Sequence, residues 1–586
     1  MPQEYKRTLD FTPIEFDTAF RLKVATNLYE LADLLGVPYK HLTYVLYKIP
    51  DSRRYSELEI PKSDGSTRKI LRPTKKLKSL QGSLSSLLYE VRESASQKEG
   101  SLKASSHGYE KDRSPFTNAS KHVGRRYVLN LDLKDFFPSI HIGRVIGILK
   151  ADRSFELNDN IALAIAQLAC FNGSLPQGAP SSPVISNIVA GVLDRRLRKF
   201  ANLHRCSYSR YVDDITFSTN LRDFPEDIAR PQANGTWVVS ESLEKVIKRS
   251  GFEVNHSKVR MCLAESKQTV TGLTVNSSVS TDRKYKKITR AMCHSLFQKG
   301  SYVIDGVKHD SDSLKPLDGR LSHIARIAYL DRKRRSKNQT LLMEEIKRLN
   351  DYSSYERLLE QLIFYQNFVV PSRPIIVTEG YTDFAYLRFV SRYRGLLPGV
   401  LKDSSKNIHF QLFKPTYRNQ TMIRLGSGAG VIGKFILRFE DRLKNFSAVG
   451  IQQPVIFILD NDDAGREQLQ IVTKKRSNKK LEVTSITDQV TKIGQYQYVL
   501  MLNHEGYGGQ IEDYFKSSLL NKKYQGQSFS FLSEDGETGY SKGTFAKHVV
   551  PKHCEEADCT DFSKIWSSIA CAVEDSITNL IPSDQA

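Results

Sequence analysis

The amino-acid sequence predicts an α+β domain followed by an α/β domain. In the first part of the chain, short apolar segments end in acids, at Asp132 and at the pair Asp213-Asp214. After the proline-rich run 371–374, apolar strands alternate with turns and helices. At 586 residues the chain is also too long for one hydrophobic core. We therefore expect separate domains, with boundaries near residues 320 and 370.

The acids of the first domain are predicted to converge. The string YSRYVDDITFS, at 208–218, is typical of a tight turn between two short strands, which lifts Asp213 and Asp214 out of the sheet. Upstream, the apolar segment 128–131 brings Asp132 to a strand end. If these strands pair, the three carboxylates repel one another unless cations lie among them. An isolated Asp-Asp turn is common on protein surfaces, so the prediction depends on the combination.

Such a cluster predicts a metal site. Carboxylate oxygens favour Mg²⁺, with Mn²⁺ as an alternative, and two ions roughly 3.5 to 4 Å apart can stabilise both the attacking and the leaving oxygen of a phosphoryl transfer. The site is therefore predicted to polymerise nucleotides with two divalent ions.

Further motifs follow in a fixed order along the chain. They are RKILRP at 68–73, SLPQGAP at 174–180, GFEVNHSKVR at 251–260 and TGLTVN at 271–276. Together with the acids they resemble the fingers and palm of a reverse transcriptase, over roughly the first 320 residues. The resemblance implies a right-hand polymerase fold of fingers, palm and helical thumb. It also implies dNTP substrates and catalysis by Asp132, Asp213 and Asp214.

The same resemblance implies contacts with the incoming nucleotide or the template. The residues concerned are Lys69, Arg72, Phe137, Gln177, Gly178 and Lys258. Phe137 lies where these polymerases carry an aromatic steric gate, which crowds a 2′-OH and so favours dNTPs. Phe137 could instead be an ordinary core aromatic.

Two shorter motifs are similar to the signatures of bacterial retron reverse transcriptases. They are NASKHV at 118–123 and the triplet VTG at 270–272. This resemblance implies recognition of a cognate RNA by Asn118, His122, Val270, Thr271 and Gly272. His122 could equally be a packing or capping histidine, and the triplet alone is an ordinary strand and turn sequence.

The charge of the chain favours a nucleic-acid partner. The formal net charge is +21 and the sequence pI is about 9.4. Basic runs lie at 283–287, 332–335 and 474–480. The first opens the segment where a thumb is expected, and there Arg283, Lys284, Lys286 and Lys287 are predicted to contact phosphates. The alternative for each run is a solvated face.

Cysteine usage and hydropathy predict a cytoplasmic protein, and the retron resemblance implies a bacterial one. The seven cysteines are scattered without a CxxC motif, which indicates reduced thiols. His553, Cys554 and Cys559 have poor spacing for zinc. The N-terminal run 1–11 has no apolar core and no apolar run of 18 residues occurs, so we expect no membrane partner.

The second domain also brings acids to strand ends. The apolar segment 375–377 precedes Glu379 and Asp383, and the segment 455–459 precedes Asp460 and Asp462. Because ligands of open α/β sheets bind at the carboxyl ends of strands, both sets are expected to face one crevice.

This pattern resembles the Toprim domain, a Rossmann-like parallel sheet found in topoisomerases, primases and nucleases of the overcoming-lysogenization-defect type. The glycine-rich loop 425–434 and the motifs IEDYF and SKGTFAKHV are similar to those nucleases, in which a Glu and a Lys join the site. The resemblance implies metal ligation by two ions and hydrolysis of nucleic acid. The residues implied are Glu379, Asp383, Asp460, Asp462, Glu512 and Lys542.

Together the motifs predict a retron reverse transcriptase at 1–320, a helical end of the thumb and connector at 321–370, and a Toprim effector at 371–586. The retron resemblance implies that part of a cognate noncoding RNA is copied into branched RNA-DNA (msDNA), primed from an internal guanosine 2′-OH. It further implies a homo-oligomeric ribonucleoprotein and a toxin effector in antiphage defence. The alternatives are a reverse transcriptase of the group II intron type and an inactive Toprim scaffold.

Overall fold

The computed structural model describes residues 17–61, 65, 67–98, 105–336, 352–447, 453–478, 483–503, 509–531 and 539–578. Three predictions concern residues outside these ranges: the N-terminal run 1–11, the helical pattern at 341–349, and the last two lysines of the basic run 474–480. The chain divides into two compact units, Met1–Asp282 and Arg283–Ala586.

The first unit combines helices with short antiparallel strands. Its helices are α1 (Thr18–Val24), α2 (Leu28–Leu34), α3 (Tyr39–Tyr47), α4 (Lys75–Lys98), α5 (Pro115–Ser120), α6 (Ile142–Ala151), α7 (Asp159–Ala169), α8 (Ser182–Leu203) and α9 (Glu241–Arg249). Its strands are β1 (Tyr55–Pro61), β2 (Thr67–Pro73), β3 (Tyr127–Asp132), β4 (Ser207–Tyr211), β5 (Asp214–Thr219), β6 (Ala229–Pro231), β7 (Trp237–Val239), β8 (Arg260–Leu263), β9 (Thr269–Val270) and β10 (Leu273–Thr274).

A four-stranded antiparallel sheet, in the order β4-β5-β3-β8, organises the first unit. Side chains alternate between its two faces. Leu129 and Phe217 belong to the large apolar core that α7 and α8 also build. The opposite face is polar, with Ser209, Thr216 and Ser218 all buried. Strands β1 and β2 form a separate antiparallel hairpin.

The second unit is built on one six-stranded sheet. Its helices are α10 (Arg283–Lys299), α11 (Lys315–Arg335), α12 (Ser354–Phe364), α13 (Tyr381–Val390), α14 (Tyr417–Ile423), α15 (Ala429–Leu443), α16 (Asp463–Asn478), α17 (Ser517–Leu520), α18 (Lys542–Thr544), α19 (Val550–His553) and α20 (Phe562–Thr578). Its strands are β11 (Tyr302–Ile304), β12 (Val307–His309), β13 (Ile375–Val377), β14 (Gln411–Leu412), β15 (Val455–Leu459), β16 (Thr484–Ser485), β17 (Val490–Gly494) and β18 (Gln497–Met501).

The strand order of the large sheet is β14-β13-β15-β18-β17-β16. The first four strands are parallel, as predicted, whereas β17 and β16 are antiparallel. The prediction of a parallel sheet is therefore wrong at one edge. The reason is the connection: only Gln495 and Tyr496 separate β17 from β18, and a parallel pair needs a crossover of a dozen or more residues.

Both faces of this sheet are covered, as is usual for parallel sheets. Phe457 and Leu459 of β15 pack into one core, and Ile456 and Ile458 into another. The first core also contains buried side chains of α10, α11 and α12, and the second contains those of α13 and α20.

The helical segment after the palm thus shares a core with the C-terminal sheet. The division into compact units falls at residue 282, earlier than the boundaries predicted at 320 and 370. The cause is that Leu296 and Leu321, on the apolar sides of α10 and α11, are buried together with sheet residues such as Val455.

Among the described helices, none is long and apolar enough to cross a membrane.

Candidate functional site

The Asp213-Asp214 pair lies at the end of the β4–β5 hairpin. Tyr211 and Asp214 are register partners, so Val212 and Asp213 form a two-residue loop. Val212 adopts a φ of 60°, a left-handed conformation that two-residue hairpins favour. In the neighbouring strand, Asp132 lies directly opposite Asp214. The predicted pairing is confirmed, and it brings the three carboxylates to one end of the sheet.

A buried ion pair holds this hairpin in place. The fully buried Arg210 donates to the Asp194 carboxylate from Nε at 2.9 Å and from Nη2 at 2.8 Å. Its Nη1 donates to the carbonyl oxygen of Val212 at 2.8 Å. Burial opposes the charge, but Asp194 outweighs it, and the pKa of Arg210 is raised above its ordinary value.

A second loop is pressed against the turn. A Cβ on Gly108 would lie 2.6 Å from Cγ2 and 2.8 Å from the backbone nitrogen of Val212, so only glycine fits. The Gly108 carbonyl accepts from Asn187 Nδ2 at 2.8 Å. The next residue, Tyr109, has a φ of 57°, and its carbonyl accepts from Tyr89 Oη at 2.7 Å. The turn is therefore fixed from both sides.

Two side chains of the 251–260 motif contact Asp132. Lys258 Nζ donates to Oδ2 at 2.9 Å, and Asn255 Nδ2 donates to Oδ1 at 3.1 Å. The hydrogen bond with Asp132 raises the pKa of Lys258. Lys258 thus contacts Asp132 and partly neutralises the acids, and its predicted contact with the nucleotide or template remains a prediction.

Asp213 and Asp214 lie close to other carboxylates that repel them. Burial is the largest cause that raises the pKa of Asp213. Burial, followed by the charges of Asp213 and Asp132, raises the pKa of Asp214 to about 6. Carboxylate oxygens that destabilise one another are suited to a divalent cation, which would supply charge neutralisation and polarise phosphate oxygens. Among the described residues, however, no group of three or more His, Cys, Asp or Glu side chains is already arranged to hold a metal ion.

Asp213 and Asp214, but not Asp132, line a cavity of about 480 Å³. This volume is within the range of small-molecule sites. Of the predicted residues, Phe137, Gln177, Gly178, Asp213 and Asp214 line it. Arg68, Ile70 and Tyr109 also line it and were not predicted.

The fingers hairpin is fitted closely to this cavity at Gly178. Its φ is +116°, and a Cβ there would lie 2.6 Å from the carbonyl oxygen of Leu71 and 2.7 Å from Cγ2 of Ile70. The backbone nitrogen of Leu71 donates to the carbonyl of Gln177 at 2.8 Å. This contact positions β2 against the 174–180 turn.

Strand alternation separates Lys69 from Arg68 in β2. Arg68 and Ile70 face the cavity, whereas Lys69 is exposed and forms an ion pair with Glu57 at 3.2 Å. Arg72 is also exposed and does not line the cavity. The roles predicted for Lys69 and Arg72 therefore remain predictions, and Arg68 is the basic residue of β2 that the cavity presents.

The two short motifs at 118–123 and 270–272 form one structural feature on the polar face of the palm sheet. Thr271 and Gly272 make the turn between β9 and β10, with φ values of 47° and 77°. Thr271 Oγ1 donates to the carbonyl of Pro115, the first residue of α5, at 3.0 Å. Val270 is buried and Gly272 is exposed.

Asn118, in α5, and His122, which follows this helix, are both buried. His122 is fully buried, and its two ring nitrogens lie 2.7 Å from the hydroxyls of Ser218 and Ser209. Burial lowers the pKa of His122 to about 3, so the ring is neutral. Asn118 is fully buried too, and its amide atoms have no hydrogen-bond partner among the described residues. These contacts favour the packing role that was the alternative for His122. Direct RNA contact by Asn118 or His122 remains a prediction.

The basic run of α10 is accessible. Arg283, Lys284 and Lys287 are exposed, and Lys286 is half-buried. Their positions are compatible with phosphate contacts and equally with a solvated face.

In the second unit, Glu379 joins two strand ends. Its Oε1 accepts from the backbone nitrogen of Ala429 at 2.9 Å, and its Oε2 from that of Asp460 at 3.2 Å. Burial raises the pKa of Glu379. Burial, then Asp383, Glu379 and Glu512, raises the pKa of Asp460 to about 8. These acids therefore lie close enough to interact.

Glu512 and Lys542 lie at the same place. Lys542 Nζ donates to Glu512 Oε2 at 3.1 Å and to Gln510 Oε1 at 2.9 Å. Glu512 is fully buried, and its Oε1 has no hydrogen-bond partner among the described residues. Tyr386 Oη donates to the carbonyl of Lys542 at 3.2 Å, a contact that the sequence did not indicate.

The two remaining acids have local structural partners. Asp383 is buried and accepts from the backbone nitrogen of Gly380 at 2.8 Å, as an acid in the first turn of α13. Asp462 is exposed, and its Oδ1 accepts from the backbone nitrogen of Gly465 at 2.7 Å. Both contacts are typical of acids at a helix N-terminus. Roles of these acids in metal binding remain predictions.

Comparison with known proteins assigns the first unit. Residues 60–276 match a family model described as "Reverse transcriptase (RNA-dependent DNA polymerase)". The retron Ec86 reverse transcriptase of Escherichia coli is 29% identical over 332 residues, covering 54% of this chain and 94% of that protein. The retron Mx65 reverse transcriptase of Myxococcus xanthus is 33% identical over 306 residues, covering 49% of this chain and 66% of that protein.

A solved apo telomerase from Candida Tropicalis, truncated from its C-terminal domain, aligns with a TM-score of 0.27 at 17% identity, over 40% of this chain and 56% of that one. A TM-score this low supports no conclusion.

The family match and the retron relatives show that the chain contains a reverse transcriptase domain with retron reverse transcriptases as homologues. The family match ends at residue 276, so it does not bear on the acids of the second unit.

Replacing Gly178 by alanine tests the contact between the fingers hairpin and the cavity. The added Cβ must displace Leu71 or Ile70, and a misplacement of about 1 Å can cost about a hundredfold in rate. We expect kcat/KM for dNTP incorporation to fall by about tenfold to a hundredfold. Gly173→Ala is the matched control, since Gly173 has a φ of +79° but nothing within 4 Å of its Cβ position. Equal activities of the two variants would contradict the interpretation.

The raised pKa of Asp214 predicts a pH-dependent metal requirement. Below a pKa of about 6 the free carboxyl is protonated, and a metal ion must displace that proton. We expect the Mg²⁺ concentration for half-maximal DNA synthesis to rise by up to about fourfold between pH 7 and pH 5.5, and to stay constant above pH 7. Initial rates across an Mg²⁺ titration at each pH measure this. A requirement that does not change over this pH range would show that Asp214 is ionised throughout.

Proposed function

We propose that the chain is a retron-type RNA-directed DNA polymerase whose second unit is a metal-dependent nuclease. The observation that carries the polymerase is the register of β3 and β5, which sets Asp132 opposite Asp214 beside Asp213. These acids share an end of the sheet with a cavity that contains Phe137 and Gly178. We propose that the polymerase uses dNTPs, and that each of the two proposed active sites binds two Mg²⁺ or Mn²⁺ ions.

The proposed template is part of a structured noncoding RNA, copied into branched RNA-DNA from an internal guanosine 2′-OH. The retron homologues support this proposal, together with the exposed turn Thr271-Gly272, which is anchored to α5. A turn of this kind can contact RNA loops and bulges, by which proteins select structured RNA. A homo-oligomeric ribonucleoprotein in the bacterial cytoplasm belongs to the same proposal.

The polymerase assignment is tested by Asp213→Asn and Asp214→Asn. Each removes a carboxylate charge from the metal site, and metal ions supply several kcal/mol of transition-state stabilisation, so DNA synthesis should fall by about a hundredfold or more. RNA affinity should be unchanged, because it depends on basic residues elsewhere. Asp223→Asn, an exposed acid of the same unit, is the control.

The retron assignment has its own readout in these experiments. DNA made in cells that also express the RNA encoded beside the gene should be joined to RNA and sensitive to a 2′,5′-debranching enzyme. Full activity in both Asp variants would overturn the polymerase site. Linear DNA without the branch would favour the group II intron type.

We further propose nuclease activity in the second unit, acting on DNA or RNA as an antiphage effector of the Toprim type. The supporting observation is that Glu379, Asp460 and Glu512 interact at the ends of β13 and β15 with Lys542 beside them. Strongly perturbed carboxyls in one place are typical of catalytic sites. Lys542 would stabilise charge that develops on a phosphate.

The double variant Glu379→Gln with Asp460→Asn tests this proposal. Metal-dependent cleavage of nucleic acid, and any growth arrest that the intact system causes, should be lost, while branched DNA is still made. Glu467→Gln, an exposed acid on α16, is the control. Unchanged protection against phage would make the unit a scaffold. Loss of DNA synthesis in a folded variant would mean that the two activities are coupled.

A further inference from the structure

One face of α10 is a continuous basic stripe. Arg283, Lys287, Arg290 and His294 are all exposed and follow one another at spacings of four, three and four. At about 100° per residue they fall within an arc of about 60° and span about 17 Å of helix. The buried side chains Met292 and Leu296 lie on other sides of the helix. The stripe therefore presents its charges to solvent in one row.

The stripe ends in a cavity of about 500 Å³ within the second unit. Three elements build it: the second half of α10, the start of α12, and the end of α15 with the residues that follow. The lining residues are Arg290, His294, Phe297, Gln298, Ser354, Arg357, Leu358, Gln361, Lys444 and Asn445. A volume of this size accommodates a mononucleotide.

The lining of this cavity is cationic and amide-rich. It has three cations, and no acid is among the described residues that line it. Lys444 is paired with Asp441 at 2.8 Å, and Arg290 donates to the hydroxyl of Ser354 at 3.0 Å. The side chains of Arg357 and His294 have no hydrogen-bond or ion-pair partner within the described parts of the chain. Unneutralised cations in a concave site favour an anionic ligand.

The rest of the lining is suited to a base. Leu358 supplies apolar surface, and the side-chain amide of Gln361 can donate and accept hydrogen bonds. The amide of Gln298 already donates to the carbonyl of Asn445 and accepts from the hydroxyl of Ser447. Arginine is well suited to phosphate, since its guanidinium offers several donors in a fixed plane. Phosphate and base therefore each find a matching surface.

We propose that this cavity holds one nucleotide of a single-stranded nucleic acid whose phosphate backbone follows the basic stripe of α10. RNA template and newly made DNA share this chemistry, and either would fit. The site lies entirely in the second unit, and none of its lining residues belongs to the acid cluster of that unit. It deepens the proposed function, on which it rests, by naming where the nucleic acid is held outside the catalytic sites.

The salt dependence of binding tests the proposal. The full chain is titrated with fluorescent twelve-nucleotide oligo(U) and oligo(dT) at several salt concentrations. Each single-strand phosphate that a cation neutralises adds about 0.7 to the log-log slope, so Arg290→Gln with Arg357→Gln should lower it by about 1.4. Arg290→Lys with Arg357→Lys keeps the charges and should keep most of the slope. Lys474→Gln with Lys475→Gln removes two exposed charges from α16 and should leave the slope unchanged.

Photocrosslinking locates the bound strand. An oligo(U) probe that contains 4-thiouridine should crosslink to peptides carrying residues 290–298 or 357–361, and less so in the double glutamine variant. A slope equal to that of the Lys474 and Lys475 control, or crosslinks confined to other peptides, would overturn the site. The stronger of the two probes identifies RNA or DNA as the natural occupant. DNA synthesis on a generic primer-template, measured on the same preparations, separates failure of this site from failure of the polymerase assignment.

Discussion

The geometry of the polymerase site depends on the buried ion pair between Arg210 and Asp194. Arg210 is the penultimate residue of β4, and its guanidinium donates to Asp194 in α8 and to the carbonyl of Val212 in the turn itself. Breaking a buried pair leaves an uncompensated charge and costs about 3 to 5 kcal/mol. A single interaction therefore couples the long helix behind the sheet to the loop that carries Asp213, and the left-handed Val212 is tolerated because its carbonyl is fixed.

In the second unit the corresponding constraint is the sheet with two covered faces. Because α10, α11 and α12 bury their apolar sides against one face, the helices that follow the palm are part of the same compact unit as Glu379 and Asp460. A change in the position of these helices must repack the core beneath β13 and β15. Nucleic acid held along α10 would thus bear on an element that is packed against the sheet of the second acid cluster.

The sequence predicted the parts of the molecule that local patterns determine. Alternating apolar residues that end in Asp132 and Asp213 were sufficient for the palm hairpin, and apolar runs before Glu379 and Asp460 for the parallel strands. Contacts between distant segments were missed. Arg68 lines the cavity because of its register in β2, and strand alternation could have indicated this position. Tyr109 lines it because of a left-handed turn, which no sequence pattern indicated. An amphipathic helix such as α10 indicates that its apolar side packs against another element, but the sequence does not indicate which element. The shared core of α10 and the C-terminal sheet was therefore not predictable from the sequence.

The two acid clusters both bring carboxylates close together, and they differ in how far the pKa of an acid is raised. In each, one lysine neutralises one carboxylate: Lys258 bonds Asp132, and Lys542 bonds Glu512. The acids left over differ in pKa, about 6 for Asp214 and about 8 for Asp460. The pKa of Asp460 is therefore raised further above its ordinary value than that of Asp214. A divalent ion entering the proposed second site would have to displace a proton at a higher pH than an ion entering the first, because metal ligation requires the carboxylate. If the proposed nuclease site binds metal, its occupancy is expected to fall at a higher pH than that of the polymerase site.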